Sequence, residues 1–304
     1  MNFSILKEVL EQNSKTLNQE FKRLFHGRGN YYKDLSFLSI DSINTILNVA
    51  FYNEISQKNE NELLDILKKF IQNTQHKCIN LQRRYLSKSP SQIIYGKLED
   101  DLYALENGIK FNIDLKSYQN NGYFPDMKIG REFIQSISKD KRVLNLFSYT
   151  CGFSLSAIKG GALSVFNIDM SKGALSKGRL NHHLNNFSTS NVQFGPYNIL
   201  KSFSKIRKFA PYDIIIIDPP TFQKNSFEAS KDYVKIIRRL EEVVSQKATI
   251  MACLNSPFLD ENFIIDMFKE NCSSFKFEKR LKNSKEFICI DESKSLKNLV
   301  FKNF

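Results

Sequence analysis

From about residue 125 onward, short apolar runs alternate with segments whose apolar residues recur every three or four positions. The runs are RVLNLFSY, SVFNIDM, NVQFG, YDIIIID and ATIMACLN, and they read as strands. Between them, REFIQSISK, GFSLSAIKGG, SKGALSKGRLNHHLNNF, the stretch near 200–209 and SKDYVKIIRRLEEVVS pattern as helices. A further helix, ENFIIDMFKENC, precedes two late strands in FKFEKRL and SLKNLVFKNF. Strands alternating in this way with helices predict an α/β fold: a doubly wound, mostly parallel sheet covered on both faces.

The first 120 residues carry a different pattern. Residues 1–25 predict an amphipathic helix with Ile5, Val9 and Leu17 on one face. Gly27 and Gly29 open a loop, Phe37, Leu38 and Ile40 suggest a short strand, and ENELLDILKKFIQ is a second helix. Residues 77–117 look β-rich, and Asn107-Gly108 between two alternating runs signals a hairpin. The pattern divides the chain into an α+β domain over 1–120 and an α/β domain over 121–304.

Composition adds a partner class. The formal charge is +12 and the pI about 9.3, a balance suited to a polyanion such as nucleic acid. No stretch approaches the roughly 20 apolar residues that cross a bilayer. The N-terminal segment lacks the features of a secretory signal. A cytoplasmic protein without a membrane is expected. The five cysteines are scattered with no CxxC pair, which argues against both a disulfide framework and a zinc site. The tandem His182-His183 lies mid-helix with no companion ligands, so no metal is expected.

Ligands of doubly wound sheets bind beyond the carboxyl ends of the strands. Three features fall there. The first strand runs into a loop that holds Gly152 before the next helix, without the GxGxxG of dinucleotide sites. Asp169 ends the second strand, where a carboxylate accepts bonds from ribose hydroxyls. Asp218, followed by Pro219 and Pro220, ends the fourth. As a simple helix cap, Ser171 is better placed than Asp169.

This constellation resembles class I S-adenosylmethionine-dependent methyltransferases, whose fold is Rossmann-like. More narrowly, it is similar to the bacterial 23S rRNA methyltransferases that modify cytosine C5 or guanine N7. GYFPDMKIGREF, VLNLFSYTCGFSLSA, GGALSVFNIDMSKGAL, YDIIIIDPPTF and SFEASKDYVKIIRRL carry the likeness, and LFHGRGNYY resembles a branch without the usual N-terminal PUA domain. The resemblance implies S-adenosylmethionine as cofactor. Arg131, with Asp126 nearby, meets the methionine carboxylate. Phe147, Ser148 and Gly152 line the methionine end, Asp169 the ribose, and Met170 and Asn198 the adenine. Lys128 and Asn198 depart from the usual arginine and aspartate. Asp218, Pro219 and Pro220 form the wall that presents the base, and Phe222 stacks on it.

Methylation of cytosine C5 needs a nucleophile, usually a cysteine thiolate, whereas a guanine nitrogen attacks directly. Cys253 is the candidate, with Asn255 as the competing match to the family's cysteine. Cys151, in the cofactor loop, reads as packing. The expected partner is RNA, with ribosomal RNA first, and the densest cation–aromatic clusters are at Arg28 and at Arg83-Arg84 with Lys88. A methyltransferase of protein or small molecules, or a cofactor-binding protein without activity, are the competing readings. Oligomeric state stays open, a homodimer included.

Overall fold

The computed structural model describes residues 1–116, 120–220 and 227–304, with the backbone alone of Phe222–Gln223. It divides into two compact units: residues 1–125 with 284–291, and residues 126–283 with 292–304.

The first unit opens with α1 (Ser4–Ser14). Its helix is shorter than the sequence pattern predicts; of the predicted face, Val9 packs against the core, as does Leu17 beyond the helix end. Phe3, Leu6 and Leu10 are buried, while Ile5 is exposed. The chain then enters β1 (Lys22–His26), because Leu24 and Phe25 complete the core of a sheet. β2 (Leu38–Ile43), β3 (Ile46–Phe51), α2 (Gln57–Ile71), β4 (Cys78–Arg83) and β5 (Ser91–Tyr95) follow. The sheet order is β1-β2-β3-β4-β5, antiparallel except for β3 and β4. α2 makes that parallel crossover. Ser56 caps it, and Leu63, Leu67 and Ile71, each four residues apart, bury one face. The hairpin β6 (Tyr103–Glu106) and β7 (Ile109–Asn112) turns at Asn107-Gly108, both at positive φ, as a two-residue turn of that composition requires.

The second unit contains α3 (Lys128–Ile137), β8 (Arg142–Leu146), α4 (Gly152–Lys159), β9 (Ser164–Ile168), α5 (Lys172–Leu184) and β10 (Val192–Gly195). After these come α6 (Phe203–Arg207), β11 (Tyr212–Ile217), the two-residue strands β12 (Phe222–Gln223) and β13 (Phe227–Glu228), and α7 (Ala229–Ile237). The last elements are β14 (Val244–Leu254), α8 (Asn262–Asn271), β15 (Phe275–Leu281) and β16 (Lys297–Asn303). The seven-stranded order is β10-β9-β8-β11-β14-β16-β15. The first five strands are parallel, and β16 is antiparallel to both neighbours. This is the class I methyltransferase arrangement expected of the sequence. β11 explains its unbroken isoleucines: Ile214 and Ile216 enter one core cluster, Ile215 and Ile217 the other.

One predicted helix is overextended. α7 stops at Ile237, because the carbonyl of Val243 already accepts the Tyr212 N–H, which draws the valines into the sheet. Among the described residues, no helix is long and apolar enough to cross a membrane.

Candidate active site

The strand order reverses between β8 and β11, so the crevice beyond their carboxyl ends is the place for a ligand. Backbone bonds join the ends of four neighbouring strands, β11 to β8, β8 to β9 and β9 to β10. Asp218 N–H donates to Leu146 O at 3.4 Å, Ser148 N–H to Ile168 O at 3.0 Å, and Asp169 N–H to Gly195 O at 3.2 Å.

The loop after β8 is strained. Phe147, Tyr149 and Cys151 have φ of 59°, 46° and 64°, left-handed values that cost a non-glycine residue of order 1–3 kcal/mol each. Packing holds them. The Phe147 ring sits edge-on to Phe227 at 4.9 Å, so its backbone, not its ring, borders the loop. Ser148 and Cys151 are buried. Cys151 packs on α5 where Gly178 lies, and a Cβ there would come 2.4 Å from its sulfur. Burial pushes the Cys151 thiol up to about 12, so it is a packing group. Gly152 begins α4.

Asp169 receives two backbone donors, one on each oxygen: Tyr149 N–H at 2.9 Å and Ser171 N–H at 2.8 Å. The carboxylate is thereby fixed by the loop that precedes α4 and by its own turn. Each carboxylate oxygen retains acceptor capacity for a further donor. The α5 cap is Ser171, which accepts from Ala174 N–H. Met170 is exposed, and its sulfur meets the Asn198 amide at 3.6 Å. The Asn198 side-chain oxygen accepts from Lys201 N–H, so its amide group is the end turned toward Met170.

Asp218 and Pro220 flank the buried Pro219. Burial, reinforced by the Asp126 carboxylate, pushes the Asp218 carboxyl up to about 7, against the pull of the Arg131 guanidinium. Asp126, Arg131 and Asp218 therefore form one electrostatic cluster. Arg131 is buried on α3. Cys253 ends β14 on the core face with Met251 and is fully buried. Burial, with Asp218 and Asp126, drives its thiol well above the ordinary value. Phe222 lies outside the residues whose side chains are described.

Two buried polar positions near the strand ends escaped the sequence reading. Tyr233 is fully buried, and its hydroxyl donates toward Ile217 O and Cys253 O, each at 3.2 Å. It thus ties together the ends of β11 and β14. The signal was a lone hydroxyl on the apolar face Tyr233–Ile236–Ile237. Lys297 is also fully buried, and its ammonium donates to Ser256 O and Ser295 O. A lysine opening a strand gives no sign of such burial.

His182 belongs to a buried polar chain. Asn145 donates to Asn167, Asn167 to Ser154, and Ser154 lies 3.0 Å from His182 Nε2. Its Nδ1 faces Gly178 O, and burial lowers its pKa. His183 is exposed. Among the described residues, no group of three histidine, cysteine or acidic side chains is placed to hold a metal.

In the first unit, the arginines separate. Arg28 lies over the Tyr52 ring at 4.2 Å, and Arg84 donates to the Tyr52 hydroxyl at 3.0 Å. The two predicted clusters thus meet on one ring. Arg83 instead pairs with Glu60 and Gln92, which ties the end of β4 to α2.

Comparison with known proteins turns this geometry into a family. Residues 22–302 match the S-adenosylmethionine-dependent methyltransferase family. The chain belongs to that family. A crystal structure of SMU.776, a candidate methyltransferase complexed with SAH, shares 25% identity over 99% of this chain and 82% of its own, with a TM-score of 0.88. Ribosomal RNA large subunit methyltransferase K/L of Pseudoalteromonas translucida is 35% identical over 166 residues, 53% of this chain and 23% of that protein. Ribosomal RNA large subunit methyltransferase I of Aeromonas salmonicida is 36% identical over 140 residues, 45% of this chain and 35% of that protein. The chain thus spans only about a quarter to a third of the length of these curated relatives.

The site fits the family's cofactor, S-adenosylmethionine. Asp169 has the fixed acceptors that a ribose diol needs, and Arg131 has the guanidinium that a carboxylate needs.

Proposed function

We propose that the protein is a cytoplasmic methyltransferase of ribosomal RNA that acts on a base nitrogen, guanine first. The bound cofactor supplies an electrophilic methyl group on a sulfonium. Asp169 accepts the ribose hydroxyls, Met170 and Asn198 border the adenine, and Arg131 holds the methionine carboxylate. Asp218, Pro219 and Pro220 present the base.

The observation that carries the choice of nitrogen is Cys253. Attack on cytosine C6 needs a thiolate, and this sulfur is enclosed in the core with its thiol driven up by burial and two carboxylates. A nitrogen needs orientation and, where it bears a proton, a place for that proton. Guanine N1 or the exocyclic N2 loses a proton as it gains the methyl, whereas N7 has none to lose; for the proton-bearing nitrogens Asp218 is the base within the cluster. Its carboxyl near 7 is matched to accept that proton at neutral pH.

The RNA reading rests on the ribosomal RNA relatives, the net charge of +12 and the Arg28–Tyr52–Arg84 stack. Nucleoside mass spectrometry of total RNA, from cells with and without the gene, tests it. A missing methylguanosine is the expected result. A missing 5-methylcytidine would restore Cys253 as nucleophile, and an unchanged profile would remove RNA as the substrate.

A further inference from the structure

The first unit has a half-open pocket of about 330 Å³ between α1, β1 and the 284–291 segment. That volume lies at the small end of ligand pockets, which run to about 300–1,000 Å³, and suits one nucleotide. The walls combine three chemistries. Lys22, Arg23 and Lys285 bring positive charge, Gln12 and Asn13 bring amides, and Tyr32 brings a ring.

The walls are fixed in place. Ile290 N–H donates to Gly29 O at 3.0 Å, and a Cβ at Gly29 would lie 1.8 Å from Ile288 O. Phe287 carries the Arg23 guanidinium on its face at 4.8 Å and meets His26 edge-on at 5.3 Å. Tyr32 stacks on Phe25 at 4.7 Å. A pocket built this way loses little entropy when it is filled.

The lining carboxylate, Glu286, accepts the Arg23 backbone N–H, and the Arg23 guanidinium pairs through two bonds with Asp41 behind the wall. The Lys22 ammonium donates to Asn13 O and Thr16 Oγ1, which holds it at the rim. His26 accepts from Arg23 at Nδ1, so its other ring nitrogen bears the proton. Burial, Arg23 and Arg28 push His26 down to about 3, so the ring stays neutral. The same Arg23 acts on the phenol of Tyr52, where Arg28 and Arg84 converge. The pocket and the arginine stack are thus one cationic region of the unit.

We propose that this pocket holds one unstacked nucleotide of a single-stranded RNA, with its phosphate toward Lys22 and Lys285 and its base edge toward Gln12 and Asn13. Arg28 and Arg84 take the adjoining phosphodiester. The proposal rests on the RNA reading above and locates its strand-binding element outside the methyl-transfer site.

The test uses the full chain and a short single-stranded RNA, with binding followed across a salt series. Gln12→Trp fills the cavity from an exposed position without changing charge. It is expected to weaken RNA binding about 10-fold, the usual worth of one stacked base. Lys285→Gln is expected to flatten the log–log salt slope by about 0.7, the value for one phosphate on a single strand. Lys58→Gln, an equal charge loss on α2, is expected to leave affinity within about two-fold, which separates a pocket from mere net charge. Cofactor binding should be unchanged in all three, showing that the fold is intact. RNA binding by Gln12→Trp at wild-type strength would overturn the pocket. So would a free 5′-mononucleotide that binds the wild type and not Gln12→Trp while RNA affinity stays the same. A wild type that binds no RNA would instead remove the RNA reading itself.

Discussion

Asp169 and Asp218 occupy corresponding places, one residue beyond a parallel strand at the same edge of one sheet, yet their surroundings differ. Asp169 receives a backbone N–H on each oxygen, and both come from rigid turns. Asp218 lies in a dense setting beside a second carboxylate, and its carboxyl is driven up to about 7. The first environment makes an acceptor held in one orientation by its two donors. The second makes a group poised to gain or lose a proton. Residue type and strand position are shared, so the division of labour comes from local donors and burial.

The largest expected effect on cofactor affinity is at the fixed acceptor. Asp169→Ala removes the acceptors offered to two hydroxyls, together with the bonds that Tyr149 and Ser171 N–H make to them. Cofactor affinity should fall by at least about 100-fold, since each of the two bonds to a charged group is worth roughly 1.5–3 kcal/mol. Calorimetry that showed normal binding would end the comparison at once.

The poised carboxyl should appear in the pH profile. kcat/KM is expected to rise as pH passes through about 7, because the carboxylate is the form that takes the proton. The sign for stability is opposite. A carboxyl whose folded value lies above its unfolded value favours folding while protonated, and that contribution is lost as pH rises from the ordinary carboxylate range through about 7. Asp218→Asn should therefore raise Tm more at pH 8 than at pH 5. An equal change at both would show that Asp218 is not strained by its setting.

Smaller effects sharpen the picture around Asp218. Tyr233→Phe removes the hydroxyl between β11 and β14, at a cost of about 1 kcal/mol in stability. Methyl transfer should slow a few-fold with cofactor affinity unchanged, because the end of β11 carries Asp218. Cys253→Ala should leave the transfer rate within about two-fold, since the thiol is buried packing. Abolished transfer in that variant would return the C5 chemistry.

Much of this division was legible in the sequence. The isoleucines of β11 announced a strand buried on both faces, and the acids at two strand ends pointed to the ligand edge. Asn107-Gly108 gave its hairpin because so few residues tolerate two positive φ values in succession. Other features depended on tertiary contacts. The left-handed Phe147, Tyr149 and Cys151 carry no glycine signature, and only packing such as Cys151 against Gly178 holds them. The end of α1 was misread because Leu24 and Phe25 suit either a helical stripe or a strand, and the sheet decides. Arg83 and Arg84 are adjacent and alike, yet one pairs with Glu60 and the other with Tyr52, since successive residues on a strand face opposite ways.

The most direct test of the account is methyl transfer by Asp218→Asn to unmodified ribosomal RNA under saturating cofactor, with cofactor binding measured on the same sample. The expected result is transfer reduced by about 100-fold or more, the usual size of a general-base contribution, with cofactor affinity within a few-fold of wild type. Transfer at the wild-type rate, or loss of cofactor binding with the substitution, would contradict it: either would mean that Asp218 does not serve the base.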